Sequence, residues 1–219
     1  MPAEAASSDQ AASRREARRR AQNELSREHV LDAAEEVFSR KGFHDATIKE
    51  IALVAEFSVG AVYSFFENKD DLFLSVIERR GDELVPAMRD LLDGAGTPVE
   101  QLHALADLQV GFFREHPSFS RLYLQATGSP LFNVRASLGK VAQKRYEMAM
   151  NLEATFFEAG QEAGAFVDGD PGALAEIFSG IIRAYQATDP AALGDDPTGG
   201  PRFAMDDLHA LLDRAFVVS

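Results

Sequence analysis

Apolar residues recur at helical spacing almost throughout the 219-residue chain, and no segment sustains the period-2 alternation of a half-buried strand. Val30, Leu31, Ala34, Val37 and Phe38 share one helix face, and Gly42 supplies the stop just past it. Thr47-Ile48-Lys49-Glu50 opens the next helix as a capping box, with Ile48, Ile51, Ala52 and Ala55 on the buried side. After only Ala55-Glu56-Phe57 comes Ser58, a good N-cap for a short third helix carrying Val59, Val62, Phe65 and Phe66. Asn68 caps a fourth, with Leu72, Phe73, Val76 and Ile77. Two short helices joined by so tight a turn predict a helix-turn-helix within an all-α fold.

The remaining elements are expected to be helices as well. The fourth helix runs on through Leu84, Met88, Leu91 and Leu92, kinked or interrupted at Pro86. Pro98 suits the first turn of a helix over 98–116, which Pro117 ends. Further helices are predicted over 118–126, over 131–159 with Gly160 and Gly164 closing it, and from Asp170-Pro171 to about 187. The proline- and glycine-rich stretch 189–201 predicts a mobile loop before a last helix over 204–217. The expected organisation is a flexible basic N-terminal arm (1–22), a three-helix head (23–80) and a helical body (81–219).

Charge is distributed unevenly. A net −13, from 22 basic and 35 acidic residues, argues against a general nucleic-acid coat. Yet 11–22 holds five arginines (Arg14, Arg15, Arg18, Arg19 and Arg20) and one acid, whereas 71–219 holds 12 basic and 22 acidic residues. A basic arm precedes an acidic body. The lack of cysteine excludes disulfides, thiolate metal sites and cysteine nucleophiles. No apolar run approaches the ~20 residues of a bilayer span, and the N-terminus lacks an apolar signal core, so a cytoplasmic protein without a membrane partner is expected. The five histidines show no metal-binding rhythm, and neither a nucleophile elbow nor a glycine-rich phosphate loop occurs. Hence no catalytic residue, metal or cofactor is expected.

The stretch 27–79 resembles the N-terminal signature of the tetracycline-repressor (TetR) family of bacterial transcription regulators. The matching residues are Val30-Leu31-Asp32-Ala33-Ala34, Val37-Phe38-x-x-x-Gly42-Phe43, Ala46-Thr47-Ile48-x-x-Ile51-Ala52, Ser58-x-Gly60-x-Val62-Tyr63-x-x-Phe66 and Lys69-x-x-Leu72. The resemblance implies that the third helix reads double-stranded operator DNA, with Thr47, Ser58, Val59, Gly60, Ala61, Tyr63, Ser64 and Lys69 as contact residues. Gly60 costs about 1 kcal/mol inside a helix, which close approach to DNA would justify. Tyr63 offers a hydroxyl to phosphate. Lys69, at a helix N-terminus, would clamp a phosphate, with Thr47 as a further contact. The chain departs from the family pattern at Glu56, where glycine is usual, at Phe57, and at Val59 and Ala61. Direct readout is therefore expected to be modest, with DNA shape contributing and the arm arginines entering the adjacent minor groove.

One short helix reads too few base pairs, so a homodimer on a near-palindrome is expected. Its elements would be the last two long helices, through Ala173, Gly180 and Ala184 on one and Leu208, Leu211, Leu212 and Ala215 on the other. The family resemblance also implies an effector pocket in the body. Aromatic stripes there are more often plain core; polar residues on apolar stripes are better clues. The candidates are Gln109, Phe112, Phe113, Tyr123, Arg145, Phe178 and Tyr185, and Arg145 in a cavity would favour carboxylate-bearing or acyl ligands. The expected function is a sequence-specific DNA-binding regulator, a repressor released from its operator by a small apolar or amphipathic ligand. The alternative is a helical small-molecule carrier or sensor whose head binds no DNA.

Overall fold

The structure, a computed structural model, describes residues 3–127, 134–194 and 202–218. Its elements are α1 (Ala3–Asp45), α2 (Ile48–Val54), α3 (Val59–Phe65), α4 (Lys69–Leu92), α5 (Pro98–Glu115), α6 (Pro117–Thr127), α7 (Val134–Glu162), α8 (Pro171–Gln186), α9 (Pro190–Leu193) and α10 (Met205–Phe216). The one β-type pairing among the described residues is an isolated bridge between Phe166 and Val217. Two compact units result, Met1–Phe73 and Leu74–Ser219. The division falls inside α4, which is continuous through Pro86.

In the first unit, the predicted face of α1 is closed off from water: Val30, Leu31, Ala34, Val37 and Phe38 are at most 1% exposed. Burying each large aliphatic or aromatic side chain stabilises the unit by about 1.5–3 kcal/mol. Ile51 and Ala52 of α2, Val62 of α3, and Leu72 and Phe73 of α4 are buried with them. Phe73 meets Phe38 and Phe43 edge-on, with centroids 5.1 and 5.0 Å apart. Gly42 breaks α1 with φ 76° and ψ 168°, a conformation that only glycine adopts without strain. The Arg27 guanidinium lies 5.0 Å from the centroid of Phe66, a cation–π contact.

The stretch expected as a flexible arm is helical from Ala3. Alanine and arginine are strong helix formers, and Arg20 pairs with Glu16 one turn away at 2.5 Å. Arg14, Arg15, Arg18, Arg19 and Arg20 are all exposed on this extension.

The second unit is built around Phe157, fully buried, whose ring meets Phe156, Phe166, Phe178 and Phe216 at 5.0–6.1 Å. Leu102, Leu105 and Ala106 of α5 and Leu208 and Leu212 of α10 belong to the same core. Three local expectations need correction. Proline 117 does end α5, but after a single residue it starts α6, since a missing N–H costs nothing in a first turn. Gly160 lies inside α7 instead of closing it: a Cβ there would sit 2.1 Å from the Phe166 ring, so the glycine serves close packing, and Gly164 (φ 70°) follows the helix end. Within the expected loop 189–201, Asp189 caps a short helix at Pro190, and its buried carboxylate receives Arg114 Nε at 2.6 Å. Residues 195–201 lie outside the described residues.

Candidate nucleic-acid interface and ligand cavity

The reading surface is built by caps. Thr47 Oγ1 accepts from the Glu50 amide at 3.3 Å while Glu50 Oε2 accepts from the Thr47 amide at 3.2 Å. The Lys41 ammonium completes this cluster on Glu50. That bond first, and then the one from Thr47, hold the Glu50 carboxyl below its usual range. The turn that follows places Glu56 at φ 58°, the left-handed conformation that glycine takes freely. Phe57 leaves the turn by packing edge-on against Phe65, centroids 6.5 Å apart. Ser58 Oγ then accepts from the Ala61 amide at 3.1 Å and starts α3. These bonds fix α3 at an angle to α2 with Val62 as its buried anchor.

Away from the buried Val62, α3 leaves Val59 (39% exposed), Gly60 and Tyr63 (53% exposed) open to solvent. A Cβ built on Gly60 would meet nothing nearer than Ser58 Oγ at 3.9 Å. No packing among the described residues requires glycine there, and its φ is not in the left-handed region. Ala61 is half-buried, and Ser64 turns its hydroxyl back to the Ala61 carbonyl at 2.6 Å. The exposed surface of α3 is therefore made by one valine, an open stretch of backbone, the Tyr63 phenol and Ser64.

Two expected phosphate contacts stand differently. Lys69 Nζ donates to the carbonyls of Phe43, His44 and Ala46 at 2.8, 3.1 and 3.0 Å and lies 4.6 Å from the Phe43 ring centroid. In this DNA-free arrangement the ammonium braces the start of α4 against the end of α1 and the residue after it, rather than standing open at the helix N-terminus. The first turn of α4 is also capped from within: Asn68 Oδ1 accepts from the Asp71 amide and Asp71 Oδ2 from the Glu67 amide, each at 2.9 Å. Thr47 is exposed, but its hydroxyl donates to Glu50 Oε2 at 2.9 Å, which makes it first a helix cap.

The second unit encloses a cavity of about 100 Å³. Leu84, Val85 and Met88 of α4 and Phe113 and Phe119 form its apolar walls. Its polar side comes from α7 and α8. Glu153, 1% exposed, accepts from Gln109 Nε2 and Ser179 Oγ, each at 2.8 Å. Burial raises its carboxyl to about 7 against these two bonds, which work the other way. Burial likewise raises the phenols of Tyr123 and Tyr146, and Tyr146 donates to Glu176 at 3.2 Å. Burial alone would lower the Arg183 guanidinium; Tyr123, Tyr146 and Glu176 outweigh it and raise it. Gln186 completes the wall, fully buried.

Of the residues the sequence picked out, Gln109, Phe113 and Tyr123 line this cavity. Phe112 does not: its ring packs on Phe113, His116 and Phe119 outside the lining. Phe178 lies in the core beside Phe157 and Phe216, and Tyr185 faces Arg114 at 3.4 Å; neither is part of this cavity's lining. The Arg145 side chain lies outside the described residues. Glu153, Ser179, Arg183 and Gln186 were not anticipated, although each is a polar residue on an apolar stripe. Among the described residues no group of three or more His, Asp or Glu is placed to hold a metal ion, and no helix is long and apolar enough to cross a membrane.

The expected dimer residues also divide. Leu208 and Leu212 are buried within their own unit and are withdrawn from the outer surface. Leu211 (39% exposed) and Ala215 on α10, and Ala173 and Ala184 on α8, face outward, with Gly180 half-buried. Ile177 and Val218, 53% and 51% exposed, add to that apolar surface.

A capped helix-turn-helix with an exposed second helix is thus joined in one chain to a helical unit enclosing a partly polar cavity. Residues 30–76 match the model of the bacterial regulatory proteins, tetR family. The HTH-type transcriptional repressor NicS of Pseudomonas putida is 27% identical over 147 residues, 67% of this chain and 68% of that protein. Two further curated relatives are matched over only 38% and 35% of their own length. A TetR-like transcriptional regulator from Rhodococcus sp. RHA1 superposes with a TM-score of 0.65 at 25% identity, covering 86% of this chain and 91% of that one. AibR, solved in complex with isovaleryl coenzyme A and operator DNA, superposes with a TM-score of 0.67 at 16% identity over 87% of this chain and 98% of its own. The family match therefore covers the helix-turn-helix unit, and the chain as a whole shares the fold of the solved regulators.

Proposed function

We propose that the chain works as a homodimeric repressor that reads a palindromic operator through α3 and releases it when a small apolar or amphipathic molecule fills the cavity. The observation that carries this reading is Gly60: an exposed helical glycine with open space before it, whose cost of about 1 kcal/mol no contact among the described residues offsets. A groove wall brought against α3 accounts for it. The neighbour bound to both an acyl-coenzyme A and operator DNA supports the same division of labour.

Coupling runs along α4, whose first residue is tied by Lys69 to the end of α1 and whose later turns line the cavity. A ligand that favours one setting of this helix needs only about 1–3 kcal/mol of differential binding to change operator affinity about 5- to 150-fold. The outward apolar surface of α8 and α10 supplies the dimer contact, its small residues allowing close backbone approach. Arg14 to Arg20, exposed on the α1 extension, supply further phosphate contacts.

The test is a gel shift with DNA from upstream of the gene. The wild type should retard a palindromic fragment at low salt. Gly60→Ala should weaken that binding at least tenfold while leaving thermal stability unchanged or higher, since alanine favours the helix. Replacing the five arginines should flatten the slope of log K against log salt. Absence of retardation by the apo protein would favour a carrier or sensor instead.

A further inference from the structure

Residues Ser179, Ile182, Arg183 and Gln186 occupy the i, i+3, i+4 and i+7 positions of α8 and line the cavity together. The hydroxyl of Ser179 is spent on Glu153. Gln186 is 0% exposed, and neither its amide nitrogen nor its amide oxygen meets a hydrogen-bond partner among the described residues. Arg183 Nη1 is buried and unpartnered in the same way. Such groups carry a desolvation cost that an aliphatic side chain would avoid. Two donors and one acceptor, clustered on one turn of a cavity wall, specify the polar group of an occupant.

The complement is a group with N–H and C=O side by side. It pairs with a carboxamide through two antiparallel hydrogen bonds whichever way that carboxamide is turned. Its carbonyl keeps a second lone pair for Arg183 Nη1. A carboxylate fits less well, because it leaves the Gln186 oxygen unpaired and enters beside the Glu153 carboxyl. The guanidinium already has the Tyr123 hydroxyl and Glu176 around it. The remaining wall, with Leu84, Val85, Met88 and Phe113, is apolar.

We propose that the cavity takes a small neutral molecule bearing a cis N–H/C=O pair, a lactam or primary carboxamide, with Gln186 and Arg183 reading that pair and the apolar wall taking the rest. This rests on the cavity being the effector site. The full-length protein would be titrated calorimetrically with δ-valerolactam, δ-valerolactone and valerate, three probes of similar size that differ in the polar group.

The lactam should bind at least tenfold more tightly than either alternative. Gln186→Leu, with Gln186→Met as a second variant, should melt at a higher temperature than the wild type and bind lactam and lactone within twofold of each other. Equal or tighter binding of lactone or valerate, no binding of any probe, or a lactam preference that survives in both variants would overturn the proposal. Operator affinity measured alongside separates the two readings. Lactam binding that leaves it unchanged refutes the effector role and leaves the ligand class standing, whereas release by lactone at equal potency does the reverse.

Discussion

Glu153→Gln should make the protein more stable at alkaline pH and remove a large part of its pH dependence. Burial holds the Glu153 carboxyl near 7, against about 4.5 for the same group in the unfolded chain. Below pH 4.5 both states are protonated and the group contributes nothing. Between 4.5 and 7 the unfolded chain ionises while the native one does not, so native stability falls as pH rises. Above 7 the loss is complete, and the gap at about 1.4 kcal/mol per pH unit comes to about 3 kcal/mol. Glutamine keeps the shape, accepts from Gln109 and donates to Ser179, whose hydroxyl can reverse its role. Urea unfolding at fixed protein concentration from pH 4 to 9 measures the difference. The curves of the two proteins should meet near pH 4 and separate by about 3 kcal/mol at pH 8, with the variant the more stable. Parallel curves, or a variant less stable at pH 8, would refute the argument that this carboxyl is buried at a cost.

Other substitutions probe the first unit. Glu56→Gly relieves a left-handed backbone at the turn and should stabilise the protein by about 1 kcal/mol, read by chemical denaturation; a loss of stability would show that the glutamate side chain holds the turn. Lys69→Met leaves three carbonyls at the end of α1 without their donor and should cost about 1–3 kcal/mol, seen as lost hydrogen-exchange protection around residues 43–46. Unchanged protection with weakened DNA binding would restore Lys69 to a phosphate role. Phe157→Ala empties the centre of the second unit and should cost about 3–5 kcal/mol in the same assay.

How much could be read from the chain depended on the range of the interaction. The Thr47–Glu50 capping box, the Ser58 and Asn68 caps and the Gly42 break are decided within four residues, and all stand where local rules put them. The bracing bonds of Lys69 are not legible locally, because its three acceptors lie 23 to 26 residues away. Gly160 resembles a helix stop in sequence, whereas the ring it accommodates, Phe166, comes against it only where the chain folds back after the end of α7. Periodicity marked Phe178 and Tyr185 as buried, which they are, but it does not distinguish packed core from cavity wall. The signal that singled out Gln109, a polar residue on an apolar stripe, was also present at Glu153 and Gln186. Applied evenly to α7 and α8, it would have found the polar side of the cavity.

The central claim is that α3 lies in a groove of operator DNA, paired with its copy from a second protomer. Hydroxyl-radical footprinting on the fragment that the protein retards tests this most directly. Two symmetric protected patches on one face of the duplex, centred about one helical turn (~34 Å) apart and both lost with Gly60→Ala, are the predicted result. A single patch, or a footprint indifferent to Gly60, would contradict it.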